Sequence, residues 1–138
     1  MQALSVDDYA RLQHLVRRYQ QRFATEIYRS PRRNPHLNVD LLCFQPFAGE
    51  LCGALLTPLS LSLALVSPTP GDFAAASVRR VALPGGSYPF APVDLGDGEG
   101  LWACELLDDL SDLDSLAEAN RLAQHLLARV MTPAESSD

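Results

Sequence analysis

The stretch that most constrains this chain is Leu59-Ser60-Leu61-Ser62-Leu63-Ala64-Leu65, where leucine alternates with a small side chain at a period of two. A helix would scatter those leucines around its axis, whereas a strand lines them up on one face. The pattern predicts a half-buried strand of an antiparallel sheet, leucines inward and the serine face wet or loosely covered. Strand-like segments surround it. Leu37, Val39, Leu41 and Cys43 alternate, and 51–57 is a second apolar run. Segments 78–83 and 87–93 flank the turn Pro84-Gly85-Gly86, and 101–107 reads as a last short strand. Turns are expected at 46–49 and 94–100, and a Pro-, Gly- and Ala-rich loop at 67–77.

Both ends of the chain carry a different period. Ser5 and Asp8 have capping-box spacing, with Leu4 and Tyr9 placed as a hydrophobic staple. Tyr9, Leu12, Leu15, Val16, Tyr19, Phe23 and Ile27 then recur at three- and four-residue intervals. Arg11, Arg18, Arg22 and Arg29 fall mainly off that stripe and are expected in solvent. Ser30-Pro31 and Asn34-Pro35 end the helix near Tyr28. At the other end, Ser115 and Glu118 repeat the cap spacing. Leu116, Ala119, Ala123, Leu126, Leu127 and Val130 form a second stripe, which Pro133 stops.

The order is thus helix, five or six strands, helix, without βαβ alternation. It predicts an α+β fold: an antiparallel β-sheet of five to six strands with an N-terminal and a C-terminal helix packed on one face, a two-layer sandwich. The 138 residues suit a single domain. Its expected parts are an N-terminal helix and basic linker (1–33), a sheet (34–107) and a C-terminal helix (108–132).

Charge narrows the partners. Net charge is −6, yet seven arginines outweigh three carboxylates in 1–33, while eleven carboxylates outweigh Arg121 and Arg129 in 94–138. Such asymmetry can steer an encounter with another protein. An acidic chain whose arginines have no interleaved aromatics does not suit nucleic acid. The most apolar segment, 51–66, is interrupted by Gly53, Pro58 and serines, and is too short to span a bilayer. No secretory signal is visible in the first eight residues, so a cytoplasmic location is expected.

No catalytic set emerges. Cys43, Cys52 and Cys104 are odd in number, match no zinc spacing and sit in apolar strand runs, where desolvation makes a thiol inert. His14, His36 and His125 are scattered. The one arrangement with enzymatic character pairs Cys104 with His36. The glycines of 96–100 are interleaved with acids that would repel phosphate, so that segment reads as a turn. Asp108, Asp109, Asp112 and Asp114 read as a solvated lead-in to the second helix, suited to its positive end or to docking. The expected function is protein binding, with no enzyme activity, cofactor or metal.

Several segments, in order, resemble one family. Asn34-Pro35-His36-Leu37-Asn38-Val39, Phe44-Gln45-Pro46-Phe47-Ala48-Gly49 and Leu55-Leu56-Thr57-Pro58 come first. Ala82-Leu83-Pro84-Gly85-Gly86-Ser87-Tyr88-Pro89-Phe90, Trp102-Ala103-Cys104 and the alanine-rich closing helix follow. Over 34–130 the chain resembles the HybE family of nickel–iron hydrogenase assembly chaperones. The resemblance implies a cytoplasmic α+β chaperone without cofactor. Such a protein holds a hydrogenase subunit, notably the large one, so that the partner bearing a twin-arginine signal is not exported early.

This chain departs from the family where Leu59-Ser60-Leu61-Ser62 replaces an aromatic followed by Met-Asn. It departs again where Glu105-Leu106-Leu107-Asp108-Asp109-Leu110 replaces an apolar run. The expected client contacts are Asn34, Pro35, Phe44, Phe47, Thr57, Pro58, Leu61, Leu63, Trp102, Glu105, Asp108 and Asp109. The alternative is a small acidic chaperone or adaptor for a different client, of the secretion-chaperone kind.

Overall fold

The computed structural model describes residues 4–68 and 78–133. Helix α1 (Val6–Arg29) opens on the expected box: the Ser5 hydroxyl accepts the Asp8 amide at 3.1 Å, and the Asp8 carboxylate accepts the Ser5 amide at 3.2 Å. Six strands follow: β1 (Asp40–Phe47), β2 (Glu50–Leu56), β3 (Leu61–Val66), β4 (Arg79–Leu83), β5 (Gly86–Gly96) and β6 (Glu99–Leu107). Helix α2 (Leu116–Val130) closes the chain, the Ser115 hydroxyl capping the Glu118 amide. The strands are all antiparallel, in the order β1-β2-β3-β6-β5-β4. The α+β class, the sheet and the two helices are therefore as the sequence predicts.

The layering is not two-layered. Leu61, Leu63 and Leu65 of β3 pack with Cys52, Ala54 and Leu56 of β2 and with Ala119, Ala123 and Leu127 of α2. The intervening Ala64 and Val66 pack with Leu51 and Leu55 and with Leu12, Leu15 and Val16 of α1. Alternate residues of one strand point to opposite faces, so the helices cover opposite faces of the sheet. That also corrects the wet face expected of β3. All six of its residues are buried, Ser62 included at 6 % exposure. On the second face the small Ala64 and the larger Val66 share a core cluster with Leu12, Leu15 and Val16 of α1. Half-burial belongs instead to β4 and β5, which reach past α1 and leave Arg80, Ala82, Ser87, Pro89 and Ala91 exposed.

Boundaries moved for identifiable reasons. Strand β1 runs through Pro46, which an edge strand tolerates because no neighbour needs its missing N–H. Its turn shrinks to Ala48-Gly49, both at positive φ, and the β5–β6 turn shrinks to Asp97-Gly98 in the same way. The acidic lead-in at 108–114 lies outside α2, with Leu110 buried as its anchor. Most of the loop expected at 67–77 falls outside the described residues.

Strand β1 also carries a bulge. Cys43 (φ +60°) and Phe44 together oppose Gly53, and a Cβ on Gly53 would run into the Phe44 ring and lie 2.7 Å from the Leu42 carbonyl. The sheet curls toward α2. Arg79 of β4 donates two bonds to Glu50 of β2, at 3.1 and 2.9 Å, although three strands lie between them. In a flat sheet that separation would be about 19 Å. Only curling brings the two together, and the Arg79 guanidinium lies over Trp102 of β6 on the way, 4.9 Å from the ring centroid.

Candidate functional site

The twelve residues expected to touch a client do not form one site. Asn34, Thr57 and Pro58 make a buried knot. The Asn34 side-chain amide donates to the carbonyls of Leu110 (2.7 Å) and Leu113 (2.9 Å), and its backbone amide donates to the Pro58 carbonyl (2.9 Å). The Thr57 hydroxyl accepts the amides of Leu59 and Ser60, both at 3.0 Å. Three segments distant in sequence are thereby tied: the approach to β1, the β2–β3 turn and the approach to α2. Leu61 and Leu63 are central core, at 1 % and 0 % exposure.

The remaining candidates lie nearer the surface. Phe44 fills the bulge on the α1 side, while Phe47 packs on the α2 side. Trp102 lies under Arg79, whose guanidinium is held more firmly protonated by its hydrogen bonds to Glu50. Pro35, Glu105, Asp108 and Asp109 are exposed. Glu105 and Asp108 share a shallow cleft with Ser30, Arg32 and Leu59, and Arg32 donates to the Asp108 carbonyl at 2.7 Å. The Ser111 backbone amide and side chain, with Arg32 adding, hold the Asp109 carboxyl below the usual range. Trp102 and Glu105 point to opposite faces of β6, so they cannot serve one contact.

The thiols are where the sequence puts them, with burial pushing all three upward in pKa. Cys52 is pushed up to about 12, the Glu50 carboxylate adding to its burial. Among the described residues no group of three or more His, Cys, Asp or Glu side chains is placed to hold a metal ion.

Two arrangements escaped the sequence reading. The first is a clasp on α1. Arg11, expected in solvent, is 7 % exposed, and its Nη1 lies 2.7 Å from Glu99, a residue of the segment read as a plain turn. His14 Nε2 meets the other Glu99 oxygen at 2.9 Å. One heptad on from Arg11, Arg18 donates to the Leu95 carbonyl at 2.8 Å and pairs with Asp97 at 3.2 Å. Arg22 and Arg29 are exposed as expected, whereas Tyr9 is 57 % exposed and adds little to the stripe. Arginine spacing alone cannot reveal such pairing, because the carboxylate lies 88 residues away in sequence.

The second arrangement is an open groove of about 690 Å³ between the last turns of α2 and the ends of β5 and β6. Tyr88, Leu106, Leu107, Leu126 and Val130 make its wall, and His125 and Arg129 stand at its rim. Gly85 closes one end. Its amide donates to the Val130 carbonyl at 2.7 Å, and a Cβ there would lie 2.7 and 2.8 Å from the Arg129 and Val130 carbonyls. The turn glycine thus pins the β4–β5 hairpin to the helix end.

A curled antiparallel sheet between two helices, offering an apolar groove and an acidic cleft, has the makings of a protein-binding domain. The chain belongs to the family described as NiFe-hydrogenase assembly, chaperone, HybE, whose model matches residues 10–138. It is 24 % identical over 108 residues to the hydrogenase expression/formation protein HupJ of Bradyrhizobium diazoefficiens, covering 78 % of this chain and 64 % of that protein. The solution structure of HybE from Escherichia coli shares the fold, with a TM-score of 0.54 and 23 % identity over 72 % of this chain and 64 % of the other. The chain thus spans a little under two-thirds of the length of the relatives it matches.

Proposed function

We propose that the chain holds a hydrogenase subunit in the cytoplasm during assembly, notably the large one, and so delays export of the partner that carries a twin-arginine signal. The family match over residues 10–138 carries this reading. The raised thiols support binding rather than nucleophilic catalysis, since a buried neutral thiol is a poor nucleophile. Within the expected contact set, Pro35, Phe44, Phe47, Trp102, Glu105, Asp108 and Asp109 have surface to offer a client. Asn34, Thr57, Pro58, Leu61 and Leu63 act by holding the shape.

Affinity purification of the tagged chain from cells that express their own hydrogenase tests the reading. Recovery of a hydrogenase subunit is expected, together with early export of the signal-bearing partner when the chain is deleted. Reproducible recovery of an unrelated protein would support the adaptor reading instead. That second reading draws on the cleft where Glu105 and Asp108 stand in place of the family's apolar run.

A further inference from the structure

We propose that the groove beside α2 takes a segment of the client that carries large apolar side chains interspersed with carboxylates. This rests on the reading that the chain holds a protein client, and it assigns both a place and a chemistry to that contact. The wall asks for apolar side chains: Tyr88, Leu106, Leu107, Leu126 and Val130 face an open trough rather than a closed cavity, as suits a length of chain.

The rim asks for negative charge. Between residues 94 and 138 the chain has two arginines and one histidine against eleven carboxylates, and all three are on α2: Arg121, His125 and Arg129. They are spaced four residues apart, so they run along one side of the helix. All three are exposed, and no described carboxylate lies within ion-pair distance of any of them. An acidic protein has thus set both arginines of its acidic half on one stripe, with His125 between them, and left them without a described acidic partner. That stripe borders the apolar trough.

Pre-organisation favours the same assignment. The Gly85 bond to Val130 ties the β4–β5 turn to the end of α2, so the groove exists before anything binds and a segment entering it need not order it. The helix C-terminus would itself repel carboxylates, so the side-chain cations must carry the attraction.

The test uses the full chain and a labelled ten-residue peptide of alternating glutamate and leucine or phenylalanine, read by fluorescence anisotropy. One counterpart has lysine for glutamate, and a second has serine for the apolar residues. The glutamate peptide should bind roughly ten-fold or more tightly than either counterpart and weaken steeply with salt. Arg121→Glu with Arg129→Glu should cost at least about ten-fold in affinity, with the thermal melt unchanged because both side chains are exposed. Arg121→Gln with Arg129→Gln serves if the reversal disturbs folding.

Equal binding of the glutamate and lysine peptides, or affinity indifferent to the arginines, overturns the proposal. So does a roughly ten-fold gain in affinity on Glu135→Lys with Asp138→Lys, which would make the chain's own end the occupant. Capture from cells separates this proposal from the chaperone reading. If the charge-reversed chain still recovers a hydrogenase subunit as well as the parent does, the groove assignment falls and the chaperone stands. If the parent recovers none while arginine-dependent peptide binding holds, the groove stands and the hydrogenase client falls.

Discussion

Asn34 shows how one side chain can tie together segments far apart in sequence. Its side-chain amide satisfies two carbonyls on the approach to α2, and its backbone amide binds the turn that begins at Thr57-Pro58. Asn34→Ala removes both side-chain donors and should cost roughly 2–3 kcal/mol in urea unfolding, with client capture lost only in proportion to folding. The cysteines give a pH test. An unfolded thiol ionises near about 8.5, whereas Cys52 in the fold holds its proton up to about 12. Between those values the unfolded chain sheds a proton that the native chain keeps. Stability is therefore intact below about pH 8.5 and falls as pH rises, by at most about 1.4 kcal/mol per pH unit from this group. Unfolding measured at pH 8 and pH 10 should show a shallower fall in Cys52→Ala than in the parent. The burial that raises the thiols was legible from the sequence because apolar neighbours are local. The knot was not, since its three strands of chain are joined only by the fold.

At the level of elements, α1 is fastened to the β5–β6 hairpin by charge as well as by its apolar stripe. Arg11→Ala leaves Glu99 buried without its guanidinium and should destabilise by about 3 kcal/mol. Replacing both Arg11 and Glu99 with leucine should cost clearly less than the single change, since no charge is then stranded. Chemical denaturation of the parent, the Arg11→Ala chain and the double-leucine chain measures the difference. Both helices were readable in the sequence from a 3.6-residue period and a side-chain cap, which are properties of contiguous residues. The strands were readable from their period of two, but their ends were not. Pro46 looks like a stop until the strand is known to be an edge, and the 94–100 segment looks like a loop until Glu99 is seen to be buried.

For the whole molecule, the placing of two helices on opposite faces decides which residues can meet a partner. A strand between two layers has no free side, so Leu63→Glu should abolish cooperative thermal unfolding rather than selectively weaken client capture. The alternation of leucine with serine and alanine was visible in the sequence, but it does not say whether a small residue faces water or a closely packed helix. The acidic cleft could be anticipated from the run after Cys104, which is local. The α2 groove could not, because its walls come from 85–88, 106–107 and 125–133, although the four-residue spacing of Arg121, His125 and Arg129 was there to be noticed. The contact of Arg79 with Trp102 and Glu50 has a practical consequence. The chain contains one tryptophan, and it lies under a guanidinium that bridges both limbs of the curled sheet. Intrinsic fluorescence excited at the red edge of protein absorbance therefore comes from that single position, and the protein carries a built-in spectroscopic gauge of how far its sheet is open.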